Sequence, residues 1–287
     1  MTLPTMLPGL SRASVGEWCQ AIDEGGFRSL AAGERIAFDN LELLTTLTFA
    51  AARTERVRIA PTIVILPMHP AALMAKQLST LDVLSGGRLD LVVGVGGREQ
   101  DFRCAERPFQ RRHQTLDDQV GELRRLWAGG PAHEGAPSVG PAPAQPGGPP
   151  VFASSLGPKS MARAARWADG NMGFSLSPDT EDWAFTFGAV DAAWEAAGRT
   201  DPPRQATSFW YSLDPDGQQV LHDYAVRYLG VFGRESAEMM ASMATAAGPE
   251  RIATALARLD AAGCDEVYLV PTTTDPAHLA EVASLRP

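Results

Sequence analysis

Cysteine is scarce: Cys19, Cys104 and Cys264 stand far apart in 287 residues, with no Cys-x-x-Cys pair. An odd and dispersed set excludes a disulfide framework and a zinc ribbon as organising devices. Lysine is scarcer still, Lys76 and Lys159 being the only two. The five histidines, His69, His113, His133, His222 and His278, show neither His-x-His nor His-Glu-x-x-His spacing, so no metal site is expected. Positive charge is in deficit, with 25 Lys+Arg against 34 Asp+Glu and a net charge of -9, which argues against nucleic-acid partners. No apolar run approaches the roughly 20 residues that cross a bilayer. The stretch Met1–Leu10 is too short and too Pro-rich for a signal peptide. A reducing cytoplasmic location without a membrane partner is therefore expected. Also missing are the Gly-x-Ser-x-Gly elbow, the phosphate loop ending in Gly-Lys-Ser/Thr, and Ser-x-x-Lys, which removes most of the ground for a hydrolase or a nucleoside triphosphatase.

What is present is ordinary globular material, 45% apolar and 21% charged. Short β-like runs alternate with helical stretches. Val57–Leu66 is rich in β-branched residues, and Pro70–Leu84 follows with Leu73, Leu78, Leu81 and Leu84 at helical spacing before Gly86-Gly87. Leu89–Val93 reads as the next strand. Thr115–Trp127 reads as a helix with a Thr115/Asp118 cap. Val151–Ala153 feeds a helix running from near Pro158 to Asp169-Gly170, and strands are expected at Asn171–Phe174, Thr207–Leu213 and Glu266–Val270. Upstream, helices are expected at Ser14–Glu24 and Leu41–Arg53, with strands at Ser29–Ala32 and, shorter, Thr2–Leu7. Parallel neighbours need crossover connections, so the rhythm implies a parallel sheet. About eight strands in this length fit a single-domain (β/α)8 TIM barrel over residues 1–287, with a doubly wound open sheet as the other architecture. Two stretches break the rhythm: the Pro/Gly-rich loop Pro131–Pro150, and a helical insertion at Asp214–Pro249. In the insertion, Tyr224, Tyr228 and Phe232 form a stripe that serves core packing, a lid or a subunit contact.

Several motifs fall where barrel strands end. Gly94-Val95-Gly96-Gly97 follows a strand without a full dinucleotide fingerprint and without a clear helix directly behind it, leaving a tight turn or a ligand approach. Ser154-Ser155-Leu156-Gly157-Pro158-Lys159-Ser160 lies between a strand and a helix N-terminus, a place suited to a phosphate or to plain capping. Pro61 inside a strand marks a bulge, or a strand that begins after it. Glu34-Arg35 offers a carboxylate and a guanidinium that could serve a ligand or form an ion pair. His69-Pro70 reads as a helix start. Arg98, Arg103, Arg107, Arg111 and Arg112 are either solvated or near an anionic ligand.

Together the motifs resemble the luciferase-like monooxygenase family, (β/α)8 barrels that use reduced FMN or the deazaflavin coenzyme F-420. The resemblance rests on RVRIAPTIVILPMHPAALMAKQLSTLDVLSGGRLDLVVGVGG (Arg56–Gly97), PFQRRHQTLDDQV (Pro108–Val120), PPVFASSLGPKSMARAARWADG (Pro149–Gly170) and AAGCDEVYLVPTT (Ala261–Thr273), and covers essentially the whole chain. It implies a bulge in Val57–Leu66 with a non-prolyl cis bond at Thr62–Ile63 supporting the ring, with Gly94 and Gly96 flanking it. It also implies that Ser154, Ser155, Gly157, Lys159 and Ser160 hold the cofactor phosphate, and that Asp214–Pro249 shapes substrate access. Many members carry a His after the acidic residue that ends the second strand, where this chain has Arg35 behind Glu34. Related deazaflavin-dependent sugar-phosphate dehydrogenases carry a glutamate near the position of Gly97, which is absent here. Glu34, with Arg35 beside it, is the candidate for proton handling. The activity implied is a reduced-flavin monooxygenase acting on a small organic substrate. The alternatives are a coenzyme F-420-dependent hydride transferase and a non-catalytic flavin-binding protein. A homodimer and a separate flavin reductase are the partners the resemblance implies.

Overall fold

The structure, a computed structural model, describes residues 1–285. The parallel strands β1 (Ser29–Ala32) and β2 (Arg58–Pro61) form one pair. Six more form a second parallel sheet in chain order: β3 (Val64–Ile65), β4 (Leu91–Gly94), β5 (Val151–Ser154), β6 (Gly170–Met172), β7 (Arg204–Tyr211) and β8 (Glu266–Pro271). The pair is tied to both edges of the six. Leu3 donates its N–H to Ala31 O at 2.8 Å while Thr2 N–H reaches Leu269 O at 2.9 Å, so the N-terminal segment lies between β1 and β8. On the other side, Asp90 N–H donates to Ile59 O at 2.9 Å, linking β2 to the start of β4. The result is a strongly curled parallel sheet with helices packed outside it.

The helices are α1 (Arg12–Glu24), α2 (Leu43–Arg53), α3 (Ala71–Leu84), α4 (Glu99–Cys104), α5 (Arg112–Trp127), α6 (Pro158–Ala164), α7 (Trp183–Ala196), α8 (Gly217–Leu229), α9 (Arg234–Ala241), α10 (Pro249–Ala261) and α11 (His278–Ser284). Their starts follow local chemistry. Ser11 and Ser14 close a capping box on α1, the Glu42 carboxylate accepts the N–H groups of Leu44 and Thr45, and Asp182 accepts that of Phe185. The main apolar core lies between sheet and helices. A second layer inside the curl takes one residue from each of seven strands: Ala31, Ala60, Val92, Phe152, Met172, Ala206 and Tyr268. Side chains from small (Ala31, Ala60, Ala206) to large (Phe152, Met172, Tyr268) fill the interior.

The structure corrects the sequence reading at several places. Val57–Leu66 is not one strand: β2 ends at Pro61 and Leu66–Met68 is a 3-10 turn, while the Thr62–Ile63 bond is cis, as the resemblance implies. Pro61 is therefore the last residue of a strand. A short helix, α4, does begin behind Gly94–Gly97. Helix α5 starts at Arg112, and the Thr115/Asp118 cap does not form because Thr115 donates its hydroxyl to Arg111 O. Helix α6 stops at Ala164, and Thr2–Leu7 contributes only a single bridge, Thr2 to Ala31. Helix α7 was not anticipated. The loop Pro131–Pro150 lies near the starts of the strands: Gln145 donates to Asp82 Oδ1 at 2.8 Å and to Leu89 O at 2.7 Å.

Candidate active site

At the carboxyl ends of the strands the chain leaves a cavity of about 290 Å³. Its walls come from the N-terminal segment (Thr2, Leu3, Thr5, Met6), from Gly33 after β1, Thr62 after β2, Arg98 before α4, Leu156 after β5, Phe174 after β6, Ser208 and Trp210 of β7, and Val270 of β8. Tyr224, Tyr228 and Leu229 of α8 close it from the insertion. Trp210 meets Phe174 edge-on at 4.9 Å and Tyr228 at 5.3 Å, while Tyr224 and Tyr228 lie parallel within 5°. Tyr224 and Tyr228 of the stripe thus pack and also roof the cavity, whereas Phe232 lies beyond α8 in a 3-10 turn, exposed and outside the cavity lining. Burial pushes the Tyr224 phenol far above its ordinary range, so it stays protonated.

The polar groups on this wall are unequally served. Among the described residues, the hydroxyls of Thr2 and Thr5, both buried, have no hydrogen-bond partner, and neither does Arg98 Nε. Ser208 donates to Gly173 O at 3.3 Å.

Thr62, Ile63, Gly94 and Ser154 are brought together. A Cβ on Gly94 would lie 2.4 Å from Ile63 Cδ1 and 3.2 Å from Ser154 Cβ, and one on Gly96 would lie 2.8 Å from Ile65 Cγ2. The two glycines therefore make room first for the isoleucines of the bulged segment. In the turn after β5, the Ser155 hydroxyl donates to Asn171 Oδ1, both residues being buried. The Ser160 hydroxyl both accepts from Gly157 N–H and donates to Gly157 O, closing the α6 cap. Lys159 is exposed.

Glu34 and Arg35 do not pair with each other. Glu34 accepts the Ile65 N–H on Oε2 at 2.5 Å and meets His69 Nε2 through Oε1 at 2.7 Å. His69 is held in turn by Gln119, whose amide donates to the His69 carbonyl at 2.7 Å. Arg35 Nε binds Asp101 Oδ2 at 2.9 Å, with both side chains almost fully buried, and Asp101 Oδ1 accepts the N–H groups of Ile36 and Ala37. Burial, and then the nearby Arg98 charge, pull the Arg35 pKa down. His69 is a partner of Glu34 that sequence reasoning does not connect to it. It was read as a helix start, and only its place 35 residues from an acidic partner reveals the pair. Of the arginine cluster, Arg98 stands over the rings of Tyr228 and Phe232, Arg112 reaches Gly96 O at 3.1 Å, and Arg103 pairs with Glu99. Among the described residues no group of three His, Cys, Asp or Glu gathers as a metal site.

Residues 4–266 match the family described as luciferase-like monooxygenase. An uncharacterized protein of Mycobacterium tuberculosis is 31% identical over 204 residues, 68% of this chain and 69% of that protein. The pyrimidine monooxygenase RutA of Cronobacter sakazakii is 31% identical over 173 residues, which span 56% of this chain and 50% of RutA. The solved structure of monooxygenase RslO1 from Streptomyces bottropensis superimposes with a TM-score of 0.77 at 24% identity, covering 99% of this chain and 96% of that one. The same fold occurs in a coenzyme F420-dependent tetrahydromethanopterin reductase from Methanopyrus kandleri, with a TM-score of 0.76 at 17% identity and coverage of 100% and 97%. It occurs also in the FMN complex of a 3,6-diketocamphane monooxygenase from Pseudomonas putida, with a TM-score of 0.72 at 17% identity and coverage of 98% and 94%.

Proposed function

We propose that this chain, which belongs to the luciferase-like monooxygenase family, is an oxidoreductase that uses reduced FMN and dioxygen to place one oxygen atom in a small organic substrate. The family uses FMN or coenzyme F-420, and the RutA relative favours oxygen insertion over hydride transfer. The observation that carries the reading is the aromatic cavity with two polar atoms on its wall, Thr2 Oγ1 and Thr5 Oγ1, that have no partner among the described residues. Buried polar atoms are normally paired, and each one left alone costs about 1–3 kcal/mol. A ligand with hydrogen-bonding edges and a flat apolar body supplies what this wall lacks. The volume sits at the lower edge of the roughly 300–1,000 Å³ usual for small-ligand sites. Closure of the curled sheet into a (β/α)8 barrel, one domain with the insertion over 214–249, belongs to the same proposal. The interior ring of seven residues from seven strands supports it.

Bound there, reduced FMN supplies two electrons, and of the two dioxygen atoms one enters the substrate while the other leaves as water. Thr62, Ile63, Gly94 and Gly96 support one face of the ring. Ser154, Ser155, Gly157, Lys159 and Ser160 form the phosphate turn. Since the Ser155 and Ser160 hydroxyls are engaged internally, main-chain N–H groups, the Ser154 hydroxyl and the Lys159 ammonium are the donors available there. Trp210, Phe174, Tyr224 and Tyr228 exclude water from the reacting centre. Glu34 handles the proton, shared with His69 across the Oε1–Nε2 contact, while Arg35 is the anchored neighbouring charge. Reduced flavin arrives from a separate reductase, and the chain works as a homodimer.

The test is an anaerobic absorbance titration of the protein with reduced FMN and with F-420. Saturable FMN binding followed by oxygen-dependent substrate turnover is the expected outcome. Tight binding of F-420 with indifference to FMN moves the assignment to hydride transfer. Binding of either without turnover favours a non-catalytic flavin carrier.

A further inference from the structure

We propose that Arg98 selects substrates of one chemical class, planar aromatic molecules bearing an anionic oxygen group such as a carboxylate. The proposal rests on the reading of the aromatic cavity as the active site.

Two guanidiniums flank Tyr228. Arg35 stands 5.5 Å from its ring centroid and Arg98 4.5 Å. They are compensated differently. Arg35 has the buried Asp101 carboxylate at 2.9 Å. Arg98 has only rings, Tyr228 and Phe232 at 5.3 Å, and its buried Nε has no partner. The adjacent Glu99 turns to Arg103 on the surface. The carboxylate thus belongs to Arg35, no ion pair among the described residues includes Arg98, and of the two cations it is Arg98 that lines the cavity. A guanidinium on aromatic faces keeps its in-plane N–H groups free for an oxygen anion, which it binds in a bidentate manner.

The rest of the wall defines the body of the ligand. Phe174, Trp210, Tyr224 and Tyr228 make a slot of crossed rings, in which Trp210 lies edge-on to both tyrosines. Such walls favour flat, aromatic ligands. An anion on the cofactor is a second source of the same chemistry, so the test separates it from a substrate anion. A role for Arg98 confined to docking α8 is the other alternative.

The probes are 2-naphthoate and its neutral counterpart 2-naphthylmethanol, titrated calorimetrically into the protein alone and into the FMN-saturated protein. The wild type is expected to bind naphthoate at least about tenfold more tightly than the alcohol. Arg98→Gln abolishes that preference while leaving alcohol affinity, FMN affinity and melting temperature essentially unchanged. Equal affinity for the two probes in the wild type overturns the proposal. So does an equal loss for both probes in Arg98→Gln, which marks Arg98 as a docking residue. Loss of FMN affinity with the naphthoate preference intact assigns the anion to the cofactor and overturns it as well. Should Arg98→Gln fail to fold, Arg98→Lys carries the test: it keeps the charge but not the planar fork, and a reduced preference for naphthoate is expected where an unchanged one refutes the proposal. Failure of both flavins to bind, with the naphthoate preference present, removes the proposed function and leaves this inference standing.

Discussion

At the starts of the strands, charges and main-chain donors are closed off in pairs. Arg58 clasps Asp90 with two hydrogen bonds, Ser29 donates to Glu266, Asp169 accepts the Val151 N–H at 2.7 Å, and Asp265 accepts the Gln205 N–H at 2.7 Å. Gln145, from the irregular loop, fills both oxygens of Asp82. At the carboxyl ends, Thr5 Oγ1, Arg98 Nε and Arg35 Nη1 are left without partners. The starts are closed mainly by the chain's own groups, Gln205 Oε1 being an exception, whereas the carboxyl ends mix closed pairs such as Glu34–His69 and Arg35–Asp101 with atoms that have no partner among the described residues. Stability and function are thus separated along the strands, the division expected of parallel α/β sites.

The strongest attempt to break this division is Asp90→Ala. Asp90 is 1% exposed, and its removal strands an Arg58 that is 27% exposed. Breaking a buried pair by deleting one partner costs about 3–5 kcal/mol, and the water at Arg58 lowers that to about 2–4 kcal/mol. Urea unfolding should show that loss, while FMN affinity of the folded protein stays within about twofold. A matching fall in affinity would show that the two ends are coupled.

Gly96→Ala probes the other end, where stability is also spent. Gly96 has φ +61°, and an added Cβ would lie 2.8 Å from Ile65 Cγ2. The left-handed conformation costs a non-glycine residue about 1–2 kcal/mol before the crowding is counted. We expect about 2 kcal/mol in chemical denaturation. Truncating Ile65 to Ala in the same chain should restore part of the backbone tolerance, and no rescue would mean that the conformation alone sets the cost.

The same division explains what was legible in the sequence. The strand-helix alternation and the helical insertion could be read because β-branched runs, Pro, Gly and helical spacing act locally, whereas Pro61 alone left a bulge or a later strand start open and only the family resemblance located the break at Thr62–Ile63. The site was legible only as fragments. Glu34 and Arg35 are neighbours in sequence, yet their partners His69 and Asp101 come from 35 and 66 residues away, and no spacing rule reports such pairs. The roles of Gly94 and Gly96 against Ile63 and Ile65 were hidden for the same reason. Helix α7 is a different case: Asp182 caps it, and Trp183, Phe187, Val190 and Trp194 fall on one buried face, a signal that was present. The apolar residues around the rest of that helix blur the stripe.

A finer cut separates two residues of the proposed phosphate turn. Ser155→Ala deprives the buried Asn171 Oδ1 of its donor, so stability should fall by about 1–2 kcal/mol. Lys159 is exposed, and Lys159→Ala should leave the melting temperature unchanged while weakening FMN about three- to tenfold. Thermal unfolding and cofactor titration of the two variants give the answer together. Intact FMN affinity in Lys159→Ala would remove Lys159 from the phosphate site and leave the turn's main-chain N–H groups and Ser154 as its donors.

The smallest effect lies at the strand starts, in acid. Burial pushes the Asp23 carboxyl up, but the N–H groups of Glu55, Val57 and Arg56, which it accepts, more than offset this, and its pKa is lowered. A carboxyl depressed by folding stabilises the native state above its unfolded pKa of about 3.9, and that contribution disappears as the pH falls through the folded value. Neutral solution should therefore show the full contribution, and it should drain away below about pH 4. Asp23 is half-buried, and solvent screening limits the amount to about 0.5 kcal/mol. Asp23→Asn should flatten the acid limb of the stability profile by that much, measured as urea unfolding between about pH 6 and pH 3. An unchanged acid limb would mean that the three amides gain nothing from the charge, and that the closure of the strand starts is geometric rather than electrostatic.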